Sequence, residues 1–497
     1  MPLIRLFTCS ALIICSIFTQ AATLEVGPGK SYTSFEAAAA VCTPGDTILF
    51  YEATYNSKQN VTDLQGTESK PITITAVQGH EVIFSNANEA WHLTDVAWLN
   101  ISNIIFEKLR TNGVNIDDGG DYSTPSHHIN LRDCIFRDMD ASGNNDLLKL
   151  SGVDYMVIWD CEFLNGSAGG SGIDMVGCHN VSIYNNSFEN MGSNAIQAKG
   201  GTQYLEILAN KFTNCGHRSV NLGGSTGLQF FRPIDAPFEA ADISVYSNLF
   251  IGSIASVAYV GSVRVDVANN TMINPEKWAF RILQETVDTT RFAPCGYGRF
   301  ANNLIFCDSR VTTASNIGPN TAPQTFLFTN NLWYNHENSS WSGPSLPVTD
   351  PNQILGEDPL FEDATGGDYD LRSTSPAVAK GIDITNAPLD FLGRVFNDPR
   401  SIGAFEGDPA PRSIRDLTNS ESMHIWPNPS NGKFFIRSTE EIPEFISIVD
   451  LTGQVIVKVK VDMISQETGV VDLHILPAGI YILEMPFARK KVVISSR

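Results

Sequence analysis

The chain is poor in positive charge: 33 Lys and Arg stand against 54 Asp and Glu, a formal net charge of −21 over 497 residues. That balance excludes general affinity for nucleic acid or an anionic membrane surface, and any polyanionic ligand would need a locally basic groove. A disulfide framework is also missing. Of nine cysteines, Cys9 and Cys15 fall in an N-terminal leader, and an odd, widely spread set remains. Cys134 and Cys161 each precede a phenylalanine, Phe136 and Phe163, by two residues. That placement suits stacked inward thiols, and a bridge between neighbouring coils stays open. No apolar run beyond the leader is long enough to span a bilayer. No Ser-His-Asp order, nucleotide loop or Cys/His zinc spacing stands out, and His127-His128 is an isolated pair.

What is present starts with that leader. Met1-Pro-Leu-Ile-Arg5 supplies a positive start, residues 6–18 an apolar run and Thr19-Gln20-Ala21-Ala22 a small-residue cleavage site. Residues 1–21 are therefore expected to be a signal peptide. The rest is organised around residues 171–224, where short alternating strands follow one another and Asn186 to Asn210 marks one 24-residue period. A fixed period with strand alternation and Asn/Gly corners is what a parallel β-helix needs, because each coil buries its apolar face only by stacking on the next. The corner asparagines recur as Asn186, Asn210, Asn248, Asn270, Asn303 and Asn331. Stacked, they can bond to one another and to a bent backbone that tolerates left-handed geometry. Thr33-Ser-Phe-Glu36 has capping-box spacing and predicts a short helix that covers the open end of the solenoid. The long step from Asn210 to Asn248 places an insertion, carrying Phe230-Phe231-Arg232, on the side where solenoids commonly bind.

The expected architecture is all-β: a right-handed parallel β-helix over residues 22–406, a linker over 407–422 and a small β-sandwich over 423–497. Pro44-Gly-Asp-Thr47 and the closing Ile402-Gly-Ala-Phe-Glu406 resemble the opening and tail of secreted right-handed β-helix proteins. The last segment resembles the C-terminal sorting domain of the type IX secretion system of the Bacteroidetes. It carries that domain's Pro-Asn-Pro opening at Pro427-Asn-Pro429, the Asp450-Leu-Thr-Gly453 turn, the Leu476-Pro-Ala-Gly-Ile-Tyr481 segment and a basic end. The resemblance implies the type IX machinery as partner, and release outside the cell or attachment to its surface. A monomer without a membrane span is expected.

Period-two alternation assigns register. If Leu148, Ile173, Ile196 and Val220 point inward, then Lys149, Asp174, Gln197 and Asn221 form one outward column, with Lys199 two residues further on. Asp146, Ser171, Asn194 and Arg218 form a second column. Such a row is a candidate sugar groove, with Phe230, Phe231 and Arg232 as its wall; buried staples of the inserted loop are the other reading of the two aromatics. A solvated face with a weak Lys149–Asp174 ion pair is the bland reading of the row.

In fold and outward lysine the chain is similar to the β-helical polysaccharide lyases of the chondroitinase B and alginate lyase type. The similarity implies a lyase acting on an acidic, uronic-acid-containing polysaccharide by β-elimination, with Lys199 as base and Arg218 or His217 assisting. Two positions depart from that family: its catalytic arginine would fall near Gly223, and an acidic calcium ligand falls at Asn194. Metal ligands are left unassigned. No cofactor is required by a motif, and calcium is the one the resemblance admits, with oxygen donors at Asp117, Asp118 and Asp121 or at Asp138, Asp140 and Asp146. A glycoside hydrolase using Asp146 and Asp174 and a non-catalytic glycan-binding solenoid are the competing expectations.

Overall fold

The computed structural model describes residues 21–407 apart from 385, 386 and 388. It also describes residues 423–494 apart from 427–429, 431, 439–441, 450–454, 464–467, 474–475, 477–478 and 486–487. The expected leader (Ala21 apart), the linker beyond Gly407, the Pro-Asn-Pro opening and the Asp-Leu-Thr-Gly turn lie outside the described residues.

Three parallel sheets of 12, 10 and 12 strands run the length of the solenoid, each strand pairing with its counterpart in the next coil. Inward apolar side chains stack coil on coil. Phe106, Phe136, Phe163, Phe188, Phe212 and Phe250 form one such column, with ring centroids 4.7–5.1 Å apart. Offset stacking at about the strand spacing of ~4.8 Å lets every ring serve two coils. The seven described cysteines are free, and Cys134 and Cys161 are buried, so the inward-thiol reading holds and no bridge forms between them.

The asparagine ladder is continuous. Each backbone N–H from Asn186 to Asn303 donates to the next asparagine's Oδ1 at 2.9–3.1 Å. The ladder ends on Asp350, whose Oδ2 accepts from Asn331 N and Nδ2. The left-handed residue is not the ladder asparagine but the one before it: Asn185, Ala209, Ser247, Asn269, Asn302 and Asn330, with φ between 51° and 57°. At the N-terminal end a helix over Phe35–Ala39 covers the first coil, burying Phe35 against Phe50 and Trp91. Its cap is Ser34, which accepts from Ala37 N, one residue on from the expected Thr33. Glu36 instead accepts from Asn60 N.

The closing segment adds no coil. It turns back along the flank, where Phe361, Tyr369, Leu371, Ile402 and Phe405 cover outward apolar residues of the third sheet such as Leu249, Ile273, Leu304 and Leu332. The C-terminal part forms two four-stranded antiparallel sheets. They share a core of residues such as Phe434, Ile436 and Val471 from one sheet with Ile446, Ile448 and Leu483 from the other.

Candidate functional site

The site lies on the outer face of the ten-stranded sheet. Strands Val114–Asp117, Leu148–Ser151, Ser171–Val176, Asn194–Lys199 and Arg218–Gly223 run side by side in register. Asn115, Lys149, Asp174, Gln197 and Asn221 occupy one position of that register. Ser171, Asn194 and Arg218 occupy a second. Because a parallel coil pairs like with like, residues 23 to 34 apart in the chain become neighbours.

Two loops wall this face into a cavity of about 770 Å³, lined among others by His92, Asp118, Lys149, Lys199 and Phe230. One wall is residues 118–125; the other is the insertion after Gly223. Tyr122 joins them, its hydroxyl donating to Gln229 O at 2.5 Å. Glu239, fully buried, anchors the insertion by accepting from Gly200 N, Thr226 N and the Thr226 and Thr286 hydroxyls at 2.5–3.0 Å. The paired aromatics divide their labour. Phe230 is exposed at the rim, whereas Phe231 is wholly buried in a cluster with Phe238 and Phe292. The expectation that Phe231 faces a sugar is corrected: it staples the loop.

Beneath the cavity two ammonium groups converge on one carboxylate. Lys149 donates to Asp174 Oδ2, and Lys199 Nζ lies 3.0 Å from Asp174 Oδ1. Lys149 Nζ also stands 3.8 Å from Asp146 Oδ2. Burial alone would raise the Asp174 carboxyl, but Lys149 and Lys199 hold it below its ordinary value. Asp146 goes the other way, pushed up to about 6 by burial and by the Asp174 charge. Burial opposes the Lys149 charge, yet Asp174 and Asp146 outweigh it and keep the ammonium above its ordinary value. The ion pair of the bland reading thus exists, but it is not solvated: the Asp174 side chain is 1% exposed and that of Lys149 21%.

The remaining expected residues divide. Arg232 lines the cavity, but its guanidinium is held by Asp154 through two 2.7 Å bonds and by Gly177 O at 3.0 Å. It is a strut between the insertion and the first sheet. Asn221 is buried, accepting from Arg218 at 3.0 Å and donating to Gly223 O; like Asp174, it has no surface to offer a sugar. Gln197 is half-buried and does not line the cavity. Arg218 is paired with Glu285 at 2.6 Å, and His217 lies at a separate hollow along the same face.

Sequence reasoning missed a second group. His92 Nε2 sits 2.7 Å from Asp117 Oδ2, and both residues line the cavity. His92 continues the Lys149 column downward through Asn115. The signal was the same register, hidden because the loop of residues 118–125 lengthens the coil between Asn115 and Lys149. Asp118 is buried beside Gly152, and burial lifts its carboxyl while the Gly120 N–H opposes. Asp118 Oδ2 and Asp95 Oδ1 are buried without a partner. Burial, then Asp63, Asp117 and Asp121, lift Asp95. Among the described residues no three His, Cys, Asp or Glu side chains converge closely enough to hold a metal as they stand.

Residues 89–274 match the family model described as right handed beta helix region. Residues 424–495 match the secretion system C-terminal sorting domain. No curated protein matches the chain. Among solved structures, pectate lyase Pel9A is similar at 13% identity and a TM-score of 0.50, over 79% of this chain and 98% of that one. A rhamnogalacturonan lyase is similar at 12% identity and a TM-score of 0.40, over 70% and 92%. An alginate lyase from Paenibacillus sp. str. FPU-7 is similar at 13% identity and a TM-score of 0.37, over 62% and 97%. The chain is a right-handed parallel β-helix protein of the pectate-lyase-like fold. More particularly, it carries the C-terminal sorting domain that directs export by type IX secretion. No helix of the described residues is long and apolar enough to cross a membrane.

Proposed function

We propose that this is an exported enzyme that cleaves a uronic-acid-containing polysaccharide by β-elimination. One observation carries the reading: Lys149 and Lys199 line the cavity, while Asp146 and Asp174, each no more than 2% exposed, lie under them. A hydrolase needs its two carboxylates against the sugar; the expected pair, Asp146 and Asp174, is instead buried beneath Lys149 and Lys199, and the carboxylates that do line the cavity are Asp117, paired with His92, and Asp118. The Lys149 ammonium, held protonated by the acids beneath it, faces the substrate carboxylate and offsets the charge that builds there. Lys199 first gives a proton from its ammonium to water and, as the amine, then takes the proton from C5. The electron pair of that bond forms C4=C5, the C4–O4 bond breaks, and O4 takes a proton from water. Lys149 thereby replaces Arg218 as the assisting cation, because Lys149 lines the cavity and Arg218, paired with Glu285, does not.

Calcium, the one cofactor the resemblance admits, does not fit the expected donors as they stand: Asp117 is paired with His92 at 2.7 Å, and among the described residues Asp117, Asp118 and Asp121 do not converge into a ligand set, nor do Asp138, Asp140 and Asp146. No step of the reaction is routed through a metal.

The reading is tested with a panel of uronic-acid polysaccharides, following the ultraviolet absorbance of unsaturated uronates. Lys199→Ala is expected to lose roughly 10²–10⁴-fold in turnover, the usual worth of a positioned proton acceptor. Undiminished turnover in that variant removes Lys199 from the mechanism. New reducing ends without the absorbance would select a hydrolase, and retention without turnover a binding solenoid.

A further inference from the structure

The outward column does not stop at the cavity. Beyond Asn221 it continues in register through Ala258, Arg281 and Asn316. Around Arg281 lies a second hollow of about 450 Å³, lined by His217, Ile254, Glu276, Lys277, Trp278 and Arg281. Trp278 holds two cations on its ring, Lys277 Nζ at 4.3 Å and Arg281 Cζ at 4.5 Å from the centroid. Such contacts fix a cation without neutralising it. Arg281 donates Nε to Asn316 Oδ1 at 3.0 Å. The acid acting on it, Glu285, is paired with Arg218 at 2.6 Å.

Several partly buried cations of this acidic chain face a carboxylate, as Lys149, Lys199, Arg218, Arg232 and Arg299 do, and Arg291 is held by the carbonyls of Ile234 and Ala236. Among the described residues neither Arg281 nor Lys277 has an ion-pair partner. A half-buried guanidinium pre-positioned by an indole, beside a second ammonium and open to a hollow, is arranged for an anion that comes from outside.

We propose that this hollow is a distal subsite for an anionic sugar of the same polysaccharide chain that occupies the cavity, with Arg281 and Lys277 receiving its carboxylate. The proposal rests on the uronan reading above and extends it to chain length. Strands Asn194–Lys199 and Trp278–Leu283 are three strand steps apart in the sheet, about 14 Å at ~4.8 Å per step. A pyranose ring is about as long as one strand step of ~4.8 Å, so a ligand lying along the column must be roughly four residues long to touch both Lys199 and Arg281. Asn221 and Ala258 between them are buried, so the chain would cross over the side chains that cover them.

The test measures equilibrium binding of oligogalacturonates and oligomannuronates to the mature chain carrying Lys199→Ala, with and without Arg281→Gln. Arg281→Gln is expected to weaken the octasaccharide roughly tenfold and the trisaccharide by less than about twofold, with Arg281→Lys recovering much of the loss. Equal losses at both lengths, or none for the octasaccharide, overturn the subsite. If uronans bind but the unsubstituted chain never turns them over, the lyase reading falls while the length dependence still decides the subsite. If neither oligosaccharide series binds, both fall.

Discussion

Lys149 stands over two carboxylates that burial and charge drive apart, Asp174 below its ordinary value and Asp146 up to about 6. Because the folded Asp146 value is raised, its favourable contribution to stability is full below the unfolded value near 3.8 and is lost as pH rises through about 6. Asp146→Asn keeps the Oδ1 acceptor for Ser171 N (2.8 Å) and removes the charge. It should therefore stabilise the chain at pH ~7.5 by on the order of 1–3 kcal/mol and leave it nearly unchanged at pH ~4, as urea midpoints at the two pH values would show. Gly152 makes a different demand. It sits at φ 65°, and an added Cβ would stand 2.1 Å from Asp118 Oδ2. Gly152→Ala is thus expected to cost about 1–3 kcal/mol, measured by the same unfolding series. At this scale the sequence pattern placed side chains correctly in their column but could not say which are covered. Cover comes from an insertion without a period, and the opposite fates of Phe230 and Phe231 follow from the short turn Leu228–Phe230 and its Glu239 anchor.

Among the elements, the corner is the most legible in sequence because a repeated asparagine at one position has one economical geometry. Each ladder side chain donates to a carbonyl of the preceding coil, and from Asn210 onward its Oδ1 serves the preceding asparagine. Asn248, for example, donates Nδ2 to Ile207 O and Tyr246 O at 2.9 Å and accepts from Asn210 N at 2.9 Å. Asn248→Ala would leave those buried groups without partners, and each such group costs about 1–3 kcal/mol. A loss of at least ~3 kcal/mol is expected, with hydrogen exchange at Asn210 N accelerated well beyond that at Asn331 N. Asp350 was not legible as part of the ladder. The last corner needs only an acceptor, so a carboxylate ends the run, and nothing in the period marks where that occurs. The same holds for the closing segment, whose apolar residues cover a flank and obey no repeat.

For the whole molecule, charge and folding units can be separated. The cations that would receive the proposed polyanion lie on one face of a chain whose net charge is −21, so its association with an acidic polysaccharide should weaken as salt screens that local attraction against the repulsive body. The apolar residues of the helical core extend only to Trp333, with Trp341, Leu346 and Val348 packed against it. The core of the sorting domain is made of residues from Phe434 to Ile494. The two cores share no residue, and the Lys491 ammonium over the Tyr184 ring at 4.0 Å is worth about 0.5–2 kcal/mol. A chain ending at Gly407 is therefore expected to melt within about 2 °C of the full chain, the shift of a change of roughly 2 kcal/mol or less in a domain of this size. It should also keep the proposed polysaccharide activity while remaining in the periplasm of a cell with a working type IX system. Calorimetry on the purified truncation and fractionation of expressing cells measure the two halves separately. A truncated chain that melts well below the full one would mean that the sorting domain contributes to the β-helix fold, and one found outside the cell would mean that export does not depend on it.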